Sequence, residues 1–240
     1  MKELHKIFQQ TKHPKNINDY YHILNSSNIL NTLHWYEFIK KVSKIDGDII
    51  ECGVGRARSI ITIAALNHYF SLIDNKYPNR NIYGIDSFMG FPQPSKEDLS
   101  KRNPKKGEWS HSPNKQFSYN VRNIKKIISY SLSGNLKKYN IKFIKGFFNN
   151  SLDKIESKKI AILHLDADLY ESTALPLKKL SSKIVTGGLI VVDDYILKEK
   201  NKKGEPWPGA RLAVQEFLKK NKNFKIKESI KGSPYLIKLY

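Results

Sequence analysis

Four aspartates stand in two short runs, His164-Leu165-Asp166-Ala167-Asp168 and Val191-Val192-Asp193-Asp194-Tyr195. Each run closes an apolar stretch that a folded chain would bury. Carboxylates gathered in one place repel, and some then hold their protons well above the usual carboxylate range. A hard divalent cation with oxygen ligands relieves that conflict. Mg2+ or Mn2+ suits the set, because one cysteine and scattered histidines make no cluster for zinc. The competing structural reading is that Asp168 caps a helix starting near Ser172.

A second constellation lies earlier in the chain. In Glu51-Cys52-Gly53-Val54-Gly55-Arg56, glycine lets the backbone turn sharply and come close to a ligand. The third glycine of a dinucleotide fingerprint would fall at Arg58, which argues against a nicotinamide dinucleotide. Gly84-Ile85-Asp86-Ser87-Phe88 puts an acid where it can accept hydrogen bonds from both hydroxyls of a ribose and repel a 2′-phosphate. Glu51 and Asp86 together fit a cofactor containing adenosine. Singly, each fragment also fits a ligand-free turn.

Such residues act together only if the elements around them bring them to one place. Short β-branched runs predict strands at Asp48–Cys52, 81–86, Ile141–Lys145, Ile160–Leu165 and 183–192. Helical patterns fit 57–73 and Pro208–Lys220. Two last strands, Phe224–Glu228 and 235–239, are joined by the turn Lys231-Gly232-Ser233-Pro234. Alternating strands and helices imply right-handed crossovers and a mostly parallel sheet, closed by an antiparallel strand. Ligands then bind beyond the carboxyl ends of the strands, where every acid named above stands. Residues 1–46 are expected to form a helical extension before a domain at 47–240, with an amphipathic stretch of Leu33, Tyr36, Phe38, Ile39 and Val42. The proline- and charge-rich segment 88–120 is expected to be a lid beside the site.

Composition narrows the class. The 240 residues are 40% apolar and 11% aromatic, which excludes a disordered chain. A single cysteine, Cys52, excludes a disulfide scaffold. No apolar run approaches the ~18 residues of a bilayer span. The polar start lacks the apolar core of a signal peptide, so the expected compartment is the cytoplasm. The formal net charge is +20. Its lysine runs, 101–106, 198–203 and 219–227, are scattered and read as solvated faces rather than a nucleic-acid groove.

The motifs resemble the macrocin O-methyltransferase family of class I S-adenosylmethionine-dependent enzymes, whose members methylate sugar hydroxyls, notably on macrolide and aminocoumarin antibiotics, using Mg2+. The likeness covers roughly residues 30–220. Its pieces are Glu51-Cys52-Gly53-Val54, Asp86-Ser87-Phe88-Met89-Gly90-Phe91-Pro92, Gly146-Phe147-Phe148-Asn149-Asn150-Ser151-Leu152 and Leu165-Asp166-Ala167-Asp168-Leu169-Tyr170-Glu171-Ser172-Thr173. Gly187-Gly188, Asp193-Asp194-Tyr195 and Pro208-Gly209-Ala210-Arg211-Leu212-Ala213-Val214 complete it. Members often carry two glycines where this chain has Ala57 and Arg58, and the segment 96–120 follows no family wording.

The resemblance implies a Rossmann-like α/β fold with a seven-stranded, mostly parallel sheet, an antiparallel last strand and helices on both faces. It implies S-adenosylmethionine and Mg2+ (or Mn2+) as cofactors, with Asp166, Asp193 and Asp194 as metal ligands. Asp166 is then the favoured general base, with His111 a weaker candidate. Glu51, Gly53, Val54 and Ser59 would lie along the methionine part, with Asp166 close by. Asp86 would hold the ribose, and Ser87, Phe88, Gly146 and Phe148 would frame the adenine. Tyr170, Asp168, Glu108 and Tyr195 would face a sugar-containing small molecule or saccharide acceptor. No nucleic acid and no membrane span are expected, and a homo-oligomer is compatible with the motifs. His164 is expected to pack, and Cys52 to be buried and unreactive.

Three other readings compete. Asp166-Ala167-Asp168 also matches the Asp-x-Asp of metal-dependent glycosyltransferases, which does not account for Glu51 and Asp86. The charge suggests a nucleic-acid methyltransferase, but Asp166-Ala167-Asp168-Leu169 is not the Asn/Asp-Pro-Pro-Tyr/Phe motif of base amino-group methylation. A non-catalytic sugar-binding module would have no use for four gathered carboxylates.

Overall fold

The computed structural model describes residues 26–112, 115, 117–132, 136–195 and 205–240. The expectations for residues 1–25 and for the lysine run at 198–203 lie outside the described residues. The elements run α1 (Ser26–Lys41), β1 (Asp48–Cys52), α2 (Arg58–Ile73), β2 (Ile82–Asp86), α3 (Val121–Ser131) and β3 (Ile141–Lys145). They continue with α4 (Phe148–Ser151), β4 (Ile160–Leu165), α5 (Tyr170–Leu180), β5 (Ile184–Val192), α6 (Pro208–Lys220), β6 (Phe224–Glu228) and β7 (Pro234–Lys238).

The sheet has seven strands in the order β3-β2-β1-β4-β5-β7-β6. β7 runs antiparallel to both neighbours, and the other pairings are parallel. Side chains alternate across the sheet, as a period of two demands. Ile49 and Ile162 enter one core with Phe38 of α1, Ile60 of α2 and Ile124 of α3. Ile50 and Leu163 enter the other with Leu177 of α5 and Val214 of α6.

Register does the positioning. Cys52 pairs with Leu165, and Leu165 with Val192, across the central strands β1, β4 and β5. Gly53, Asp166 and Asp193 therefore emerge side by side. Asp166 N donates to Cys52 O (3.0 Å), and Asp193 N to Leu165 O (3.0 Å).

Three sequence expectations need revision. First, α1 buries His34, Trp35, Phe38 and Ile39, and Val42 just after it is buried too, while Leu33 and Tyr36 face outward. The buried set follows the helical period, and Arg80 fixes it. That buried guanidinium donates to the carbonyls of Val42, Ile45 (2.6 Å) and Gly47 (2.5 Å), tying the α1–β1 connection to the entry of β2. Second, helix α3 was not expected. Its signal was present: the Asn120 side chain accepts from Asn123 N (3.0 Å), and Ile124 and Ile128 lie one turn apart on the buried face.

Third, the competing structural reading of Asp168 fails, since it does not cap α5. Leu169 holds the cap position without a side-chain bond. The first-turn amide of Tyr170 donates instead to Oδ1 of Asp98 (2.7 Å), 72 residues earlier. Asp98 is buried, and its Oδ2 accepts from Ser95 N (2.8 Å) and Ser95 Oγ (3.0 Å). A Cβ on Gly209 of α6 would come within 2.1 Å of Asp98 Oδ1, so that helix presses directly on the joint. The segment expected as a lid is thus anchored to α5 and α6 through Asp98.

Candidate active site

A cavity of about 640 Å3 opens over the carboxyl ends of β1, β2, β4 and β5. Gly53, Val54 and Ser59 form one side of it, and Asp86, Ser87 and Phe148 another. Asp166, Asp168 and Asp193 line its floor. Gly53 has φ +92°, and a Cβ there would lie 1.9 Å from the carbonyl oxygen of Asp166. Only glycine allows the first turn and the fourth strand to approach so closely.

Asp86 is committed to the glycine turn. Its Oδ2 accepts from Val54 N (2.8 Å) and Gly55 N (3.1 Å), and its Oδ1 from Phe88 N (2.6 Å). A carboxylate offers about four acceptor sites, so roughly one remains for a ribose hydroxyl. Acceptance from both hydroxyls, as expected from sequence, would need this turn to give up a bond.

The acids fall into two overlapping clusters. Ligand atoms of Asp166, Asp168 and Asp194 lie within 4.8 Å of one another, as do those of His164, Asp166 and Asp193. Asp168, expected to meet the acceptor, therefore stands with the candidate metal ligands. It holds φ +59°, a left-handed conformation that aspartate tolerates better than most residues, and its amide donates to Asp194 Oδ2 (3.2 Å).

Burial pushes Asp166 well up, reinforced by Asp193 and Asp194 and opposed by His164. Burial likewise raises Asp194, with help from Asp168 and Asp193. Asp168 rises to about 8 through burial and the charge of Asp166. Asp193 behaves differently. Burial would raise it, but the His164 hydrogen bond and charge, with Lys231 and His34, hold it at about 2. It opens into the cavity with 31% of its side-chain surface accessible. Three carboxyl groups are thus driven to hold protons by burial and, after it, by one another's charge, and their all-oxygen donor set fits a hard divalent cation in place of those protons.

His164 does pack, edge-on to Trp35 at 4.7 Å between ring centres, but packing is not its whole role. It lies fully buried between two acids, with Nε2 3.3 Å from Asp193 Oδ1 and Nδ1 3.4 Å from Glu51 Oε1. Burial alone would lower the imidazole. Hydrogen bonds and charge from Asp193 and Glu51 outweigh it and raise the ring to about 10. Glu51 is itself pushed up by burial, partly offset by His164. Glu51 does not line the cavity; it acts one layer beneath the glycine turn.

Several expected site residues stand elsewhere. The Tyr170 hydroxyl donates to Glu216 Oε2 (2.7 Å) on α6, outside the cavity lining. Glu108 pairs with Arg102 (2.5 Å) and accepts from Lys105 N (2.9 Å). Tyr195 is buried in the core beneath α6. His111 is exposed, its Nδ1 3.0 Å from Ser110 Oγ. Phe88 packs on Phe143, at 5.8 Å between ring centres, and Gly146 turns the chain behind Phe147 and Phe148, which do line the cavity. Cys52 is buried, and burial raises its thiol out of reactive range.

A profile of the macrocin-O-methyltransferase (TylF) family matches residues 28–230. The chain belongs to this family. Among curated members, it is 26% identical over 184 residues to demethyldecarbamoylnovobiocin O-methyltransferase of Streptomyces niveus, covering 74% of this chain and 60% of that protein. It is 25% identical over 174 residues to mycinamicin III 3''-O-methyltransferase of Micromonospora griseorubida, covering 72% and 61%. The chain thus spans about three fifths of the length of these relatives. The solved calicheamicin methyltransferase CalS11 superposes with a TM-score of 0.73 at 19% identity, covering 99% of this chain and 90% of the other. The O-methyltransferase NovP superposes at 0.67 and 22%, covering 88% and 81%. At such identities the likeness is one of fold, the class I methyltransferase fold.

The family motifs led to the floor of the cavity but not to its rim. Asn31 of α1 and Lys231 of the β6–β7 turn both line the cavity, as do Arg56, Arg58 and Trp109. Asn31 Nδ2 donates to Thr62 Oγ1 (3.0 Å), and Ile230 N donates to Glu37 Oε2 (2.6 Å), which ties the turn to α1. No sequence signal marks these two elements as neighbours. His164 was findable: β1 and β4 each carry an ionisable residue inside an apolar run, and Glu51 and His164 fall opposite each other in register.

Proposed function

We propose that this chain is an S-adenosylmethionine- and Mg2+-dependent O-methyltransferase acting on a sugar hydroxyl. The reading rests chiefly on one juxtaposition: Asp166, with its raised proton affinity, emerges between the Gly53 turn and Asp193. The relatives' names, which describe O-methylation on novobiocin- and mycinamicin-type molecules, support a glycosylated acceptor. Family membership favours this reading over the Asp-x-Asp glycosyltransferase, and the acidic floor disfavours a phosphate-rich nucleic acid.

The cofactor supplies an electrophilic sulfonium methyl group, and a divalent cation held by Asp166, Asp193 and Asp194, with Asp168 adjoining, would acidify a neighbouring hydroxyl. The chain's residues do the rest. Val54, Trp109, Phe147 and Phe148 wall the cavity and limit water. The Gly53 turn, packed on the Asp166 carbonyl, would hold the methyl donor beside the Asp166 side chain. Asp166, on the cavity floor, would take the proton that the sugar hydroxyl gives up on methylation.

The test is transfer of labelled methyl from S-adenosylmethionine to a panel of glycosides, nucleotide-sugars and oligosaccharides, with Mg2+ or with EDTA. Transfer to a sugar oxygen that EDTA abolishes is the expected result. Full activity in EDTA would sink the metal role. Cofactor-dependent methylation of RNA, with none of any saccharide, would sink the acceptor class.

A further inference from the structure

His164 is closed off from solvent yet lies against both Glu51 and Asp193. Its Nε2 lies 3.3 Å from Asp193 Oδ1, at hydrogen-bond distance, and its Nδ1 lies 3.4 Å from Glu51 Oε1. Neither Glu51 oxygen nor His164 Nδ1 makes a well-formed hydrogen bond among the described residues, so the 3.4 Å contact between them is an ion pair. The ring cannot swing away. Its backbone is paired on both sides, to Glu51 in β1 and to Val191 in β5, and Trp35 closes its edge. Asp193 is the opposite kind of group: it ends a strand, opens into the cavity and has a side chain free to rotate unless something holds it.

We infer that His164 is a positioning residue for the metal site, its Nε2 holding Oδ1 of Asp193 so that Oδ2 is presented to the cation. This rests on the metal reading proposed above. A buried group that orients a ligand carboxylate governs metal affinity without touching the metal, and its loss typically lowers that affinity roughly 10- to 100-fold. Glu51 is the second support of the same ring, on the side of the cofactor turn. The pair links the turn that faces the methyl donor to the carboxylate that faces the ion.

The two ring nitrogens can be tested separately, because amide side chains mimic them one at a time. The nitrogen of asparagine falls near the place of Nδ1, and that of glutamine near the place of Nε2. His164→Gln keeps a donor toward Asp193, and His164→Asn keeps one only toward Glu51. Binding of Mn2+ alone, followed by the loss of the free-ion paramagnetic resonance signal, is measured on the full chain. His164→Asn should weaken Mn2+ binding roughly 10- to 100-fold, with S-adenosylhomocysteine affinity within about 2-fold of wild type. His164→Gln should remain within a few-fold of wild type for both ligands. Equal losses in the two variants, or none in either, would overturn the inference while leaving the metal reading intact. Failure of the wild type to bind Mn2+ would overturn both.

A wild-type measurement covers the case in which the variants do not fold. In protein labelled with 15N-histidine, titration with Mg2+ should move the Nε2 resonance of a solvent-protected ring. The midpoint should match that of the ion's binding. A protected histidine resonance that stays put through saturation would refute the coupling.

Discussion

Asp98→Ala isolates the joint between the 88–120 segment and the helix that follows the aspartate motif. Asp98 accepts three hydrogen bonds, from Ser95 N, Ser95 Oγ and Tyr170 N, at 2.7 to 3.0 Å. The Tyr170 bond is the side-chain cap of α5, and loss of such a cap costs about 0.5–2 kcal/mol. The two Ser95 bonds close a reciprocal capping box on the turn Lys96–Asp98, at a net worth of about 1 kcal/mol each. The sum is about 2.5–4 kcal/mol. In a domain of this size that lowers Tm by roughly 5–16 °C, at about 2–4 °C per kcal/mol. Asp98→Asn keeps the oxygen that faces Tyr170 but turns an NH2 group toward Ser95, so it should lose about half as much. Urea unfolding at neutral pH reads both values. A loss under 1 kcal/mol for the alanine variant, or a greater loss for asparagine than for alanine, would refute the claim that Asp98 joins the segment to α5.

Other consequences follow from individual groups. His34 is buried with neither ring nitrogen hydrogen-bonded, and burial, with Lys231, holds it down at about 4. Its folded value lies below the unfolded one near 6.5, so the unfolded chain gains the proton first. Stability is lost as pH falls from about 6.5 to 4, by at most about 3 kcal/mol from this residue. His34→Phe should flatten that part of the stability-versus-pH curve, and an unchanged slope would show that the ring titrates normally. Gly53→Ala forces a Cβ against the Asp166 carbonyl at a left-handed φ, and should cost at least ~2 kcal/mol and over ~10-fold in cofactor affinity, read by denaturation and calorimetry. Tyr170→Phe removes only the bond to Glu216, so stability should drop by about 1 kcal/mol while transfer stays within roughly 3-fold of wild type. A tenfold loss of transfer would place Tyr170 at the acceptor after all.

Local periodicity carried the strands, because an apolar run between turn residues has few other uses in a chain of this composition. Once those strands alternate with helices, right-handed crossovers bring their carboxyl ends to one edge. Glu51, Asp86, Asp166 and Asp193 could therefore be grouped from the one-dimensional order alone, and the motif wording named the family. What each group does there was decided by long-range contact. Register to the residue placed His164 between Glu51 and Asp193 instead of simply against a helix. A partner 72 positions away capped α5 and left Asp168 to join the acidic cluster. Asn31 and Lys231 met at one rim because α1 and the β6–β7 turn pack together. Hydrophobic period and turn chemistry act over a few neighbours along the chain, whereas hydrogen-bond partners and buried charge depend on which distant segments the packed core brings within about 3 Å.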